Sequence, residues 1–150
     1  MAEPLLPPRR WSVRMPLWPW SWVAFYALFF GALFSYFELR SLGHFRAAWV
    51  AAHRARDASS LEALVCWEGV STEERQRMRL LLAQELELPV RSADVELTFS
   101  ADAQPGWRPN RFVVARLTVV YDTPERLTVS FPVGLDGFLG HRLAMMVREK

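Results

Sequence analysis

The chain has 150 residues, 18 basic against 16 acidic, and a net charge of +2. With no basic stripe, that balance gives nucleic-acid binding no electrostatic footing. The single cysteine, Cys66, excludes an intramolecular disulfide.

Residues 1–16 hold Pro4, Pro7, Pro8 and Pro16 with Arg9, Arg10 and Arg14. A Pro-rich polar tail does not fold alone. It reads as an N-terminal region that sets membrane topology, with a short recognition segment as the rival.

Residues 17–37 (LWPWSWVAFYALFFGALFSYF) carry no charge; Arg14 precedes them and Glu38 follows. As a helix these 21 residues span about 32 Å, against about 30 Å for a bilayer's hydrocarbon core. Only a helix satisfies the backbone of such a segment in lipid. The expectation is a single transmembrane helix. The run is longer than a signal-peptide core and no A-x-A-like site follows it, so an uncleaved anchor is expected. Trp11, Trp18, Trp20 and Trp22 crowd its N-terminal end, as indoles do at a membrane–water boundary. Ala24, Ala27, Gly31 and Ser35 recur at three- and four-residue steps. Such a stripe lets another helix backbone come close, from a partner or a second copy.

Arg9, Arg10, Arg14 and the α-amine face Arg40, Arg46, Arg54 and Arg56 across the run. The Lys/Arg rule is near a tie, and a short basic tail most often stays cytoplasmic. Arginine supplies nearly all the positive charge, with Lys150 the one lysine. This composition suggests a GC-rich bacterial genome. The expected location is therefore the bacterial inner membrane, with the domain of residues 38–150 in the periplasm.

That domain opens with a helix over 38–56, because Leu39, Leu42, Phe45, Trp49 and Ala52 fall on one helical face. No linker composition separates it from the apolar run. Ser59-Ser60-Leu61-Glu62 fits a capping box for a helix over 60–68, closed by Gly69. Ser71-Thr72-Glu73-Glu74 fits a second, for a helix over 72–87 with Met78, Leu81, Leu82 and Leu86 inward and Pro89 as the stop. The period then drops to two. Val95, Leu97 and Phe99 mark a half-buried strand over 93–100. A loop over 100–110 follows, then strands over 111–121, 126–133 and 138–147, the last with poor alternation. Helices first, then strands joined by short turns, define an α+β fold with helices on one face of an antiparallel sheet.

This order, a long helix, a short one ending in Cys66-Trp67-Glu68-Gly69, another helix and an antiparallel sheet, resembles the NTF2-like (cystatin-like) domain. The resemblance covers residues 38–150 and rests on element order. It implies a pocket between sheet and helices, for which Trp49, Trp67, Tyr121, His53 and His141 are candidate lining residues.

Catalytic signals are sparse. His44, His53 and His141 form no metal-ligand spacing, and neither C-x-x-C nor a phosphate- or dinucleotide-binding glycine loop is present. Cys66 between Val65 and Trp67 reads as a small buried hydrophobe. Glu73/Glu74 cap a helix, and Glu85/Glu87 read as a solvated face. Trp107, in Pro105-Gly106-Trp107-Arg108-Pro109, needs cover from the domain or from a partner. These features lead to a non-catalytic, single-pass accessory or structural subunit of a larger membrane complex, with no cofactor, no metal and no nucleic-acid partner. Its expected partners are the lipid bilayer and other transmembrane proteins or a second copy. The alternative is a membrane-tethered pocket domain that binds or converts a small apolar ligand.

Overall fold

A computed structural model describes residues 18–100 and 104–148, and the chain divides into two compact units at Ser35/Tyr36. Trp11 lies outside the described residues. Helix α1 runs unbroken from Trp18 to Arg54, 37 residues. The apolar run and the helix expected over 38–56 are therefore one element. Leu42, Phe45, Trp49 and Ala52 are buried at the predicted spacing. Leu39, expected on the same face, is exposed.

Helix α2 (Ala58–Ala63) begins two residues early and stops five short. Its cap is Asp57, not Ser59. The Asp57 carboxylate accepts from the amides of Ser59 and Ser60 and from both their hydroxyls. A carboxylate only accepts, so it takes all four donors and the serines become its ligands. Those bonds, with the two hydroxyls foremost, hold its pKa down at about 2. The chain then extends to pair with the sheet: Val65 bridges Leu143 in parallel and Cys66 N donates to Leu143 O. Gly69 (φ +70°) therefore serves the turn before the next helix, not the end of α2. Helix α3 (Thr72–Glu85) carries the reciprocal Ser71–Glu74 capping box. It buries Leu82, and Leu86 just beyond it, while Leu81 is exposed.

The strands are β1 (Val90–Leu97), β2 (Trp107–Pro109), β3 (Val113–Tyr121), β4 (Thr128–Leu135), β5 (His141–Leu143) and β6 (Met146–Arg148). Four form an antiparallel sheet in the order β1-β3-β4-β5, and β2 pairs with β6 in a separate ribbon. The stretch expected to be one loop thus contributes β2. The stretch expected to be one last strand is two, in different sheets. Pro132 explains the break. Its carbonyl accepts from Ala144 N, but it has no N–H to return, so the β4–β5 ladder ends there.

Ala115, Leu117, Val119 and Tyr121 on β3 and Phe131 and Val133 on β4 line one sheet face. Leu42, Phe45, Trp49, Leu61 and Leu82 join them in a single core. The domain is α+β, as its element order predicts. At the end of β1 the alternation outruns the core: Leu97 and Phe99 are exposed instead of half-buried.

Candidate functional site

In the first unit, α1 presents an apolar surface. Every residue from Trp20 to Phe37 is exposed, and α1 is one helix long and apolar enough to cross a membrane. Rings stack at i, i+4: Phe25 on Phe29 (6.2 Å, 14°) and Tyr26 on Phe30 (6.3 Å, 27°). Trp22 packs edge-on to Phe25 and tilted on Tyr26. Ala24, Ala27, Gly31 and Ser35 lie along the same helix. Ser35 Oγ donates to Gly31 O at 2.9 Å, which keeps its hydroxyl satisfied without water. A Cβ built at Gly31 would meet nothing within 4 Å, so the backbone there is open to approach. Trp18 opens α1 and Trp20 is 64 % exposed.

The second unit contains a polar constellation that no local pattern announces. His141 on β5 lies between two α1 residues about 100 positions away. Its Nδ1 is 3.0 Å from Ser41 Oγ and its Nε2 is 2.9 Å from Glu38 Oε1. Ser41 Oγ donates to Leu139 O. The residue types are those of a Ser–His–acid nucleophile set, but the proton inventory differs. The serine hydroxyl gives its hydrogen to a carbonyl, so His141 Nδ1 donates to Ser41 and does not accept from it. The imidazole is enclosed, with 1 % of its side chain accessible. The arrangement clamps the β4–β5 turn onto α1.

A second buried polar group lies at the other end of the core. His53 stacks near Trp49 (5.1 Å) and Tyr121 (6.0 Å), and its Nε2 is 2.9 Å from Glu85 O. Glu85, expected on a solvated face, is 5 % exposed, whereas Glu87 is exposed as expected. One turn of α3 separates Leu82 from Leu86, and Glu85 lies between them on the inward side. Burial raises its pKa from 4.5 to about 7, partly offset by the Tyr121 hydroxyl. Burial, and then the Glu85 charge, push the Tyr121 phenol up strongly. Trp49 Nε1, Glu85 Oε2 and Tyr121 Oη make no hydrogen bond of ordinary geometry.

The residues expected to line a pocket do not converge on one. Trp49 and Tyr121 are fully buried in the core, and His141 belongs to the clamp. Trp67 is half-buried with its Nε1 donating to Glu62 O, and Arg79 lies over its ring at 5.9 Å. Of the five, His53 lines an open groove of about 830 Å³ between the end of α1 and β1. Its lining is mixed: Arg46, Arg54, Arg56 and Arg91 with Glu87 and Asp94 alternate with apolar residues such as Val50, Leu86, Leu88 and Val90.

Cys66 is buried, and its Sγ accepts from Arg111 Nε at 3.2 Å. The same guanidinium binds Glu68 (2.6 Å) and Asp136 (3.4 Å). Asn110 donates to the carbonyls of Cys66 and Glu68 and accepts from Met145 N, fixing the turn after α2 to the end of the sheet. Trp107 is half-buried at the start of β2, paired with Arg148. Among the described residues, no three His, Cys, Asp or Glu side chains gather as metal ligands.

The fold and these surfaces define an α+β domain on a chain with one helix of membrane-spanning length and composition. No family model, no curated protein and no solved structure matches the chain.

Proposed function

We propose that the protein is a single-pass, membrane-anchored accessory or structural subunit of a larger membrane complex, and that it acts by binding rather than by catalysis. One observation carries this reading. From Trp20 to Phe37 an uncharged, aromatic-rich helix surface is wholly exposed, and such a surface demands lipid or another apolar helix. The small-residue stripe with an open Gly31 supports helix partners over lipid alone on that side. The filled core of the domain supports contact through its surface rather than through an internal ligand site.

The proposed location is the bacterial inner membrane with the domain in the periplasm, on the arginine-rich composition and the short basic tail. The NTF2-like assignment belongs to the same proposal and is supported by element order. The rival pocket function has less support, since Trp49 and Tyr121 fill the core, His141 belongs to the clamp, and the groove that His53 lines is open and carries four arginines.

The test is purification of a tagged full-length chain in mild detergent at native abundance, followed by identification of what travels with it. A stoichiometric membrane partner is the expected result. A chain that runs alone as a monomer overturns the proposal.

A further inference from the structure

The β4–β5 turn, the end of β1 and the start of β3 form one edge of the domain, and hydrogen bonds tie this edge to Glu38. His141 binds Glu38. Leu135 pairs with His141 across β4–β5. Leu135 N donates to Phe112 O at 3.0 Å. Phe99 lies 6.5 Å from Phe112, ring to ring. Glu38, Leu135, His141, Phe112 and Phe99 thus share one end of the unit that begins at Tyr36. This end is unusually apolar for a surface. Phe99 is 75 % exposed, Phe112 66 % and Phe138, at the tip of the turn, 84 %. Leu97 and Leu39 are also exposed there.

Glu38 is also the first charge after the uncharged run. A helix leaves the hydrocarbon where charge resumes, and exposed Phe and Leu side chains at that depth bury in the headgroup–acyl boundary. The geometry points to a membrane contact of this unit itself: Phe99, Phe112 and the β4–β5 turn rest in the headgroup–acyl boundary of a bilayer. The occupant of this patch is lipid. The patch is tied to Glu38 by hydrogen bonds of the domain itself, and rings from two separate chain segments, Phe99 and Phe112, meet there. Apolar side chains inserted at that depth bind in proportion to their buried area. The Glu38–His141–Ser41 clamp then has a role beyond packing, because it holds the turn at the level of the first charged residue.

This inference rests on the anchor reading, and the experiment separates the two. The full-length chain is reconstituted in phosphatidylcholine vesicles, and flotation after carbonate washing reads the anchor. Single thiols are introduced as Phe99→Cys, Phe112→Cys and, as a control, Glu125→Cys. Glu125 lies in the β3–β4 turn at the opposite end of the sheet. Cys66 is buried, so the wild-type chain serves as the labelling blank. An environment-sensitive fluorophore on each thiol is challenged with aqueous iodide and with a nitroxide carried near the top of the lipid acyl chain.

The expected result is several-fold stronger lipid-borne quenching at positions 99 and 112 than at 125, with several-fold weaker iodide quenching. Equal iodide access at all three sites, in vesicles that float, overturns the lipid contact and leaves the anchor standing. Labels at 99 and 112 shielded from both quenchers also overturn it, and assign the patch to a protein or a second copy. Loss of the chain on carbonate washing overturns both readings.

Discussion

Replacing Glu85 by Gln tests the buried carboxyl at the base of the core. Glu85 is 5 % exposed and its folded-state pKa is about 7, against 4.5 for the free side chain. Burial is the cause, since it penalises the charged form. Between pH 4.5 and 7 the unfolded chain has lost this proton while the folded chain keeps it. The contribution to stability is therefore fully present below pH 4.5, falls as pH rises, and is gone above about 7. The interval of roughly 2.5 pH units sets an upper bound of about 3.4 kcal/mol, at 1.36 kcal/mol per unit. Relaxation around the ionised group lowers that figure, so about 1–2 kcal/mol is expected. Glu85→Gln keeps the shape and removes the charge. Its stability relative to wild type should be near zero at pH 5 and favour the variant by that amount at pH 8. Urea unfolding of the full chain in mild detergent, followed by tryptophan fluorescence, measures the difference. If the pH profiles of variant and wild type run parallel from pH 5 to 8, Glu85 titrates normally and the reasoning fails.

Trp49→Ala removes a side chain with no exposed surface, and the same urea assay should show a loss of about 3–5 kcal/mol. His141→Ala leaves Glu38 and Ser41 without their shared partner; about 3 kcal/mol should be lost, while His44→Ala, at an exposed position, should change stability little. Gly134→Val places a Cβ 2.5 Å from the Arg111 Cβ. It should lower the thermal midpoint clearly more than Gly43→Val, where a Cβ meets nothing within 4 Å. Gly31→Leu fills the small-residue stripe and should abolish disulfide or photo-crosslinks to a partner helix, with the domain's urea midpoint unchanged.

The features legible in the sequence are those set by near neighbours. The absence of charge over 17–37 and the spacing of Leu42, Phe45, Trp49 and Ala52 are local patterns, because a helix repeats every 3.6 residues. The Ser71–Glu74 cap is readable for the same reason, since both partners lie within one turn. The cap of α2 is not legible locally, because two acceptor types compete within three residues, and the backbone geometry aims the Ser59 and Ser60 amides at the Asp57 carboxylate.

What the tertiary structure alone decided involves distant partners. Glu85 looks like a surface residue beside Glu87, and only the packing of α3 on the sheet turns it inward. His141 meets Glu38 across 103 positions, and nothing near either residue encodes the pairing. The splitting of the last strand depended on Pro132, whose missing N–H matters only when β5 lies beside it. Leu97 and Phe99 read as the apolar face of a half-buried strand, and the finite width of the core left them outside. Local backbone preferences are carried by a few adjacent residues and can be read from them. Long-range contacts depend on which surfaces remain to be covered after the elements assemble, and that is a property of the packed chain.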